Sequence, residues 1–190
     1  MNKIELVEAK GFVIPMPVTV IGTLVNKKPN YMAEGWVVNA NNKPRILSIS
    51  INRNHKTYEA IEQNKSFSIN IPSRELMEKT DYCGLVSGEK TEKSQLFTAF
   101  YGKLKTAPLI EECPVNFECK VYDIIELPTN QLVLGEVVSV FADKDCLTDG
   151  LPDISRINPL LLTMPDNNYW AECKKVGKAW KEGEKLKKGI

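Results

Sequence analysis

The chain holds a single histidine, His55, and no Cys-x-x-Cys pair in 190 residues. With one imidazole, mixed His/Cys metal centres are not expected. Five cysteines, at 83, 113, 119, 146 and 173, form an odd set without zinc-ribbon spacing, which argues against a disulfide framework and for reduced, structural thiols. Cys119 falls on the apolar side of a strand pattern, where a thiol behaves as a small hydrophobe. Net charge is also scarce. At +1, no global field gathers nucleic acid or an anionic membrane. No apolar run approaches the roughly 20 residues of a membrane helix. The opening Met-Asn-Lys-Ile-Glu-Leu lacks the apolar stretch of a signal peptide, so cytoplasmic residence is expected.

Two nucleotide fingerprints are missing as well. No G-x-G-x-x-G occurs, so a nicotinamide donor would have to bind outside a Rossmann domain. Gly84-Leu85-Val86-Ser87-Gly88-Glu89-Lys90-Thr91 is near a P-loop, but one residue too few separates the glycines and Glu89 precedes the lysine, where an acid would repel phosphate. Asp143, Asp145, Asp149 and Asp153 do not follow the calcium-loop pattern and read as a solvated turn.

What is present is period-two patterning. Val18, Val20, Gly22 and Leu24 share one parity and predict a first strand, ending in a turn over Asn26–Asn30. Tyr31–Trp36 predicts a short extended piece, and Asn39–Pro44 a loop. Leu47, Ile49 and Ile51 alternate with serines, as do Phe67, Ile69 and Ile71 with Ser66, Ser68 and Asn70. Ser73 opens a predicted helix through about Tyr82, and Ser94–Phe100 reads as a short helix within a loop. Val115–Val121 alternates, and Leu132–Phe141 reads as a strand buried on both faces. Strands joined by turns, with few short helices, predict a mainly β barrel in one domain spanning residues 1–190. Seven lysines in Lys174–Lys188 predict an exposed helical or irregular tail.

Between the two serine-rich strands, Asn52-Arg53-Asn54-His55-Lys56-Thr57 has no apolar side chain. Such a turn, opening a helix, sets unpaired N–H groups and a partial positive charge where a phosphate group is favoured. Thr57 is placed to cap the helix or donate its hydroxyl, and His55 with Lys56 to supply charge-assisted hydrogen bonds. An ordinary solvated turn before a capped helix is the other reading of the same residues.

A wider series of residues bears on that choice. Pro15–Thr23, Pro29-Asn30-Tyr31-Met32-Ala33-Glu34-Gly35-Trp36, Ser48–Ile51, His55-Lys56-Thr57, Phe67–Asn70, Asp81–Gly88, Cys113-Pro114 through Cys119, and Gly135-Glu136-Val137 follow one another in an order that resembles the flavin reductase-like proteins, and among them the flavoredoxin branch. The likeness covers about residues 10–177, leaving 178–190 as a basic tail. It implies an FMN-binding split β-barrel, a homodimer with flavin near the subunit interface, and a nicotinamide donor or redox protein partner. It also implies that Asn52, His55, Lys56 and Thr57 hold the phosphate. Met32, Ala33, Glu34, Gly35 and Trp36 would run along the isoalloxazine, with Ser50 and Ile51 at its strand edge, Ser87 and Gly88 near the cofactor, and Tyr169 as a late aromatic approaching it. The physical needs of a flavin agree, namely an apolar plane, backbone donors at the ring edge and an open second face. Glu34 departs from the small or hydroxyl residue expected there, and a carboxylate facing the ring would disfavour reduced, anionic flavin. The function expected is that of an FMN-dependent oxidoreductase or electron-transfer protein. Its rivals are a non-catalytic flavin carrier or sensor, and a nucleic-acid-binding barrel that near-zero charge weakens.

Overall fold

The computed structural model describes residues 2–6 and 11–188. Position 10, where the family likeness begins, and the last two residues of the basic tail lie outside them. The elements run β1 (Met16–Pro17), β2 (Thr19–Val25), β3 (Lys28–Glu34), β4 (Val37–Asn41), β5 (Ile46–Asn52), α1 (Lys56–Asn64), β6 (Ser66–Ile71) and α2 (Met77–Leu85). Then come β7 (Ala99–Phe100), β8 (Leu109–Ile110), β9 (Val115–Glu126), β10 (Asn130–Ala142), β11 (Leu147–Thr148), β12 (Leu151–Pro152), α3 (Ile154–Ile157), β13 (Leu161–Thr163) and β14 (Asn168–Trp170).

The period-two segments assemble into an antiparallel seven-stranded sheet in the order β3-β2-β6-β9-β10-β5-β4. The sheet does not close, and β3 and β4 are its edges. Its inner face gathers Ile21, Met32, Ile49, Ile51, Phe67, Ile69, Cys119 and Val133, with Ile61 of α1 added. Gly135 is required here, because a Cβ would stand 2.5 Å from Phe67 Cζ. A second cluster, Val20, Tyr31, Cys83, Phe97, Ile110 and Cys113, fixes α2 against β3. A three-stranded sheet, β1-β13-β14, lies apart. Among the described residues no helix is long and apolar enough to cross a membrane.

Four expectations need correction. The first turn narrows to Asn26-Lys27, whose φ values of 51° and 63° suit a two-residue hairpin, so β3 already begins at Lys28. The Asn39–Pro44 loop is partly strand, because β4 pairs with β5 as far as Asn41. Ser94–Phe100 is not helical: Phe97 turns inward edge-on to Tyr31 at 5.2 Å, and Ala99–Phe100 pairs with β8. Finally, β10 is not buried on both faces. Gln131, Val133 and Gly135 are buried, the residues between them are only partly covered and Val140 is half exposed, because only one face of the pleated strand meets the core.

Candidate functional site

The corner between β5 and α1 is built by Asn52. Its Oδ1 accepts from the Asn54 amide at 3.0 Å, and its carbonyl accepts from the His55 amide at 3.0 Å. These local bonds turn the chain sharply, in the manner of an Asx turn. His55 then takes the N-cap position in extended conformation, with no side-chain capping bond. Its carbonyl accepts from Tyr58, and the amides of Lys56 and Thr57 ahead of that bond have no intrahelical acceptor.

Thr57 is buried, and its Oγ1 accepts from Asn30 Nδ2 at 3.0 Å. An accepting hydroxyl keeps its own proton for donation. Asn30, buried on β3, also fixes the segment after α2, since a Cβ on Gly88 would stand 2.2 Å from Asn30 Oδ1. Ser87 shapes that segment: its carbonyl accepts from Lys90 and Thr91, and its Oγ from the Glu89 amide at 3.2 Å. A cavity of about 220 Å³ results, lined by Met32, Asn54, His55, Lys56, Thr57, the stretch Cys83–Gly88, and Lys93. Gly88→Ala is therefore expected to push Asn30 aside and weaken ligand binding in this cavity about tenfold, roughly the value of one hydrogen bond. Isothermal titration with FMN checks this.

Electrostatics in the corner differ from the sequence reading. Burial, and then the Lys93 charge, lower the His55 pKa, so the imidazole is a neutral donor near pH 7 and not the expected cation. Lys56 spends part of its charge on Glu59, at 2.6 Å. Lys93 supplies the buried cation, its Nζ donating to the carbonyls of Tyr31 at 2.7 Å and Cys83 at 3.0 Å. Burial lowers its own pKa and pushes the Cys83 thiol up to about 11.

Beyond Met32, β3 leads out of this cavity towards an apolar groove of about 460 Å³. Phe12, Val13, Pro15, Met16, Pro17, Gly35, Trp36, Val37, Val38, Ser48, Ser50 and Leu132 line it. From Met32 to Trp36 an extended chain covers about 13 Å, so one segment joins a polar cavity to an apolar groove. Ala33 faces α2, its Cβ 3.5 Å from the Cβ position of Gly84. Glu34 folds back on its own turn, and its Oε1 accepts from the Trp36 amide at 2.8 Å. Burial pushes that carboxyl up to about 7, against the lowering effect of the Trp36 and Gly35 amides. Trp36 is 45% exposed, which removes it from the core.

Of the residues singled out from sequence, Met32, His55, Lys56, Thr57, Ser87 and Gly88 meet in the cavity, and Gly35, Trp36 and Ser50 in the groove. Asn52 builds the corner without lining it. Ile51 is buried in the core. Tyr169 lies elsewhere: it donates to Asp81 Oδ1 at 2.9 Å and lines a separate cleft with Arg74, Met77 and Trp170. Sequence reasoning missed Asn30, Lys93 and the end of α2. Lys93 carries no periodic signal, and Asn30 looked like a turn residue.

A family model described as the flavin reductase like domain matches residues 11–163, and the chain belongs to that family. Among solved structures, flavoredoxin from Methanosarcina acetivorans is 48% identical, with 98% of this chain and 100% of that one covered at a TM-score of 0.95. Flavoredoxin of Desulfovibrio vulgaris (Miyazaki F) is 31% identical over 95% and 100% of the two chains, with a TM-score of 0.88. A putative flavin reductase with a split barrel domain from Shewanella frigidimarina, 19% identical over 90% and 89%, has a TM-score of 0.77. That likeness is one of fold, and the open seven-stranded sheet is a split barrel.

Proposed function

We propose that the chain is an FMN-binding redox protein, with the flavin phosphate in the β5–α1 cavity and the ring along Met32–Trp36 towards the apolar groove. Bound FMN supplies the redox chemistry by accepting and passing on electrons. The observation that carries the reading is a family member's polar cavity in which a buried ammonium, a hydroxyl with a free proton and two helix-start amides converge. Phosphate is the group that satisfies all of them. Thr57, His55 and the Lys56 and Thr57 amides would hold it, with Ser87 and Gly88 forming the opposite wall. The Met32–Trp36 backbone would orient the ring, and the Trp36 and Gly35 side of the groove would keep water from one of its faces.

The groove and the exposed Trp36 and Val38 side chains suit cover by a second copy, so a homodimer with flavin near its interface belongs to this reading. Five free cysteines suit a reducing, cytoplasmic setting. Residues 1–190 act as one flavin-binding unit with a basic tail. The test is anaerobic mixing of the purified, FMN-loaded protein with NADH and with NADPH. Bleaching of the flavin absorbance identifies a reductase, and bleaching only with an added redox protein identifies a carrier. A protein that takes up no FMN refutes both.

A further inference from the structure

Two helix ends meet at the proposed phosphate cavity, and their polarities oppose one another. The start of α1 brings unpaired amides and a partial positive charge. The end of α2 brings Cys83, Gly84 and Leu85, whose carbonyls lie in the last turn, with a partial negative charge. An anion placed there would be drawn by one helix and repelled by the other. Lys93 stands at the repelling end. It is 3% exposed, its ammonium takes the Cys83 carbonyl as one acceptor and the Tyr31 carbonyl of β3 as another, and it lines the same cavity.

An ammonium has three donors, and two have protein acceptors here. Among the described residues Lys93 has no carboxylate partner. A buried charge without a counter-ion is costly to keep, so its persistence at a cavity wall points to a ligand that answers it.

We infer that Lys93 reverses the sign of the α2 end of the cavity and thereby sets selectivity for phosphorylated over unphosphorylated flavin. Loss of the charge leaves the phosphate facing bare helix-terminal carbonyls, while riboflavin, with a neutral hydroxyl at that position, loses little. The inference rests on the flavin reading above.

The experiment measures FMN and riboflavin dissociation constants by flavin fluorescence for the wild-type protein, Lys93→Met, Lys93→Gln and Lys93→Arg. It also measures the melting temperature of flavin-free protein with and without inorganic phosphate. Lys93→Gln keeps a donor for the two carbonyls and so guards against simple misfolding of the methionine variant. Expected are at least a 30-fold weakening of FMN binding in the neutral variants, as for truncating one partner of a buried charge pair, riboflavin affinity within about threefold of wild type, and recovery of much of the FMN preference in Lys93→Arg. Phosphate should raise the melting temperature of wild type and leave that of Lys93→Gln unmoved. An unchanged FMN-to-riboflavin ratio in Lys93→Gln, or a wild type that binds both flavins equally, overturns the inference while leaving flavin binding intact. A wild type that binds neither flavin overturns the reading beneath it.

Discussion

The double variant His55→Ala/Thr57→Ala is expected to bind FMN about 200- to 1000-fold more weakly than wild type. Each side chain offers a hydrogen bond to a charged acceptor, and at the lower end of the range for such bonds, about 1.5–2 kcal/mol each, the two together come to about 3–4 kcal/mol. The fold also feels the change, because Asn30 Nδ2 loses its acceptor in Thr57 Oγ1. A stranded buried donor costs about 1–3 kcal/mol, and urea denaturation of the flavin-free protein measures that part separately. Thr57→Ser, which keeps the hydroxyl, should lie close to wild type in both assays. Equal FMN affinity in the double variant would remove the phosphate from this corner.

Glu34→Gln is expected to stabilise the protein by about 2–3 kcal/mol at pH 8 and by nothing near pH 4. Burial raises the Glu34 carboxyl from an ordinary 4.5 to about 7 in the folded state. Below 4.5 the folded and unfolded chains both hold the proton, so the residue contributes no pH dependence. Between 4.5 and 7 the unfolded chain ionises and the folded chain does not, so stability falls as pH rises. Above 7 both are ionised and the penalty levels off. Glutamine keeps an oxygen to accept from the Trp36 amide without the ionisation. Urea midpoints from pH 4 to pH 9 should therefore diverge through this window, and parallel curves for the two proteins would show that Glu34 is not confined as the structure has it.

The strands were legible because alternation at Leu47–Ile51, Phe67–Ile71 and Val115–Val121 reflects one buried face, a local consequence of the pleat. Leu132–Phe141 misled because a run of apolar residues does not say which face gets covered. Phe97 misled because its inward turn towards Tyr31 depends on a strand far away in sequence. The corner at Asn52–Thr57 was visible as a polar turn before a helix, yet its meaning rested on the family likeness, since the composition of such a turn suits water as well as phosphate. Lys93 had no legible signal at all. Its role arises where the end of α2 comes up against β3, and tertiary contacts alone create that juxtaposition. His55 shows the same limit: its residue type suggested a cation, and burial beside Lys93 makes it neutral.

The most direct measurement is a crystal structure of the protein grown with FMN. Density for the phosphate oxygens within hydrogen-bond reach of Thr57 Oγ1 and the Lys56 and Thr57 amides, with the ring running along Met32–Trp36, is the result expected. Phosphate density in another cleft, such as the one beside Tyr169 and Arg74, with the β5–α1 cavity holding only water, would contradict it.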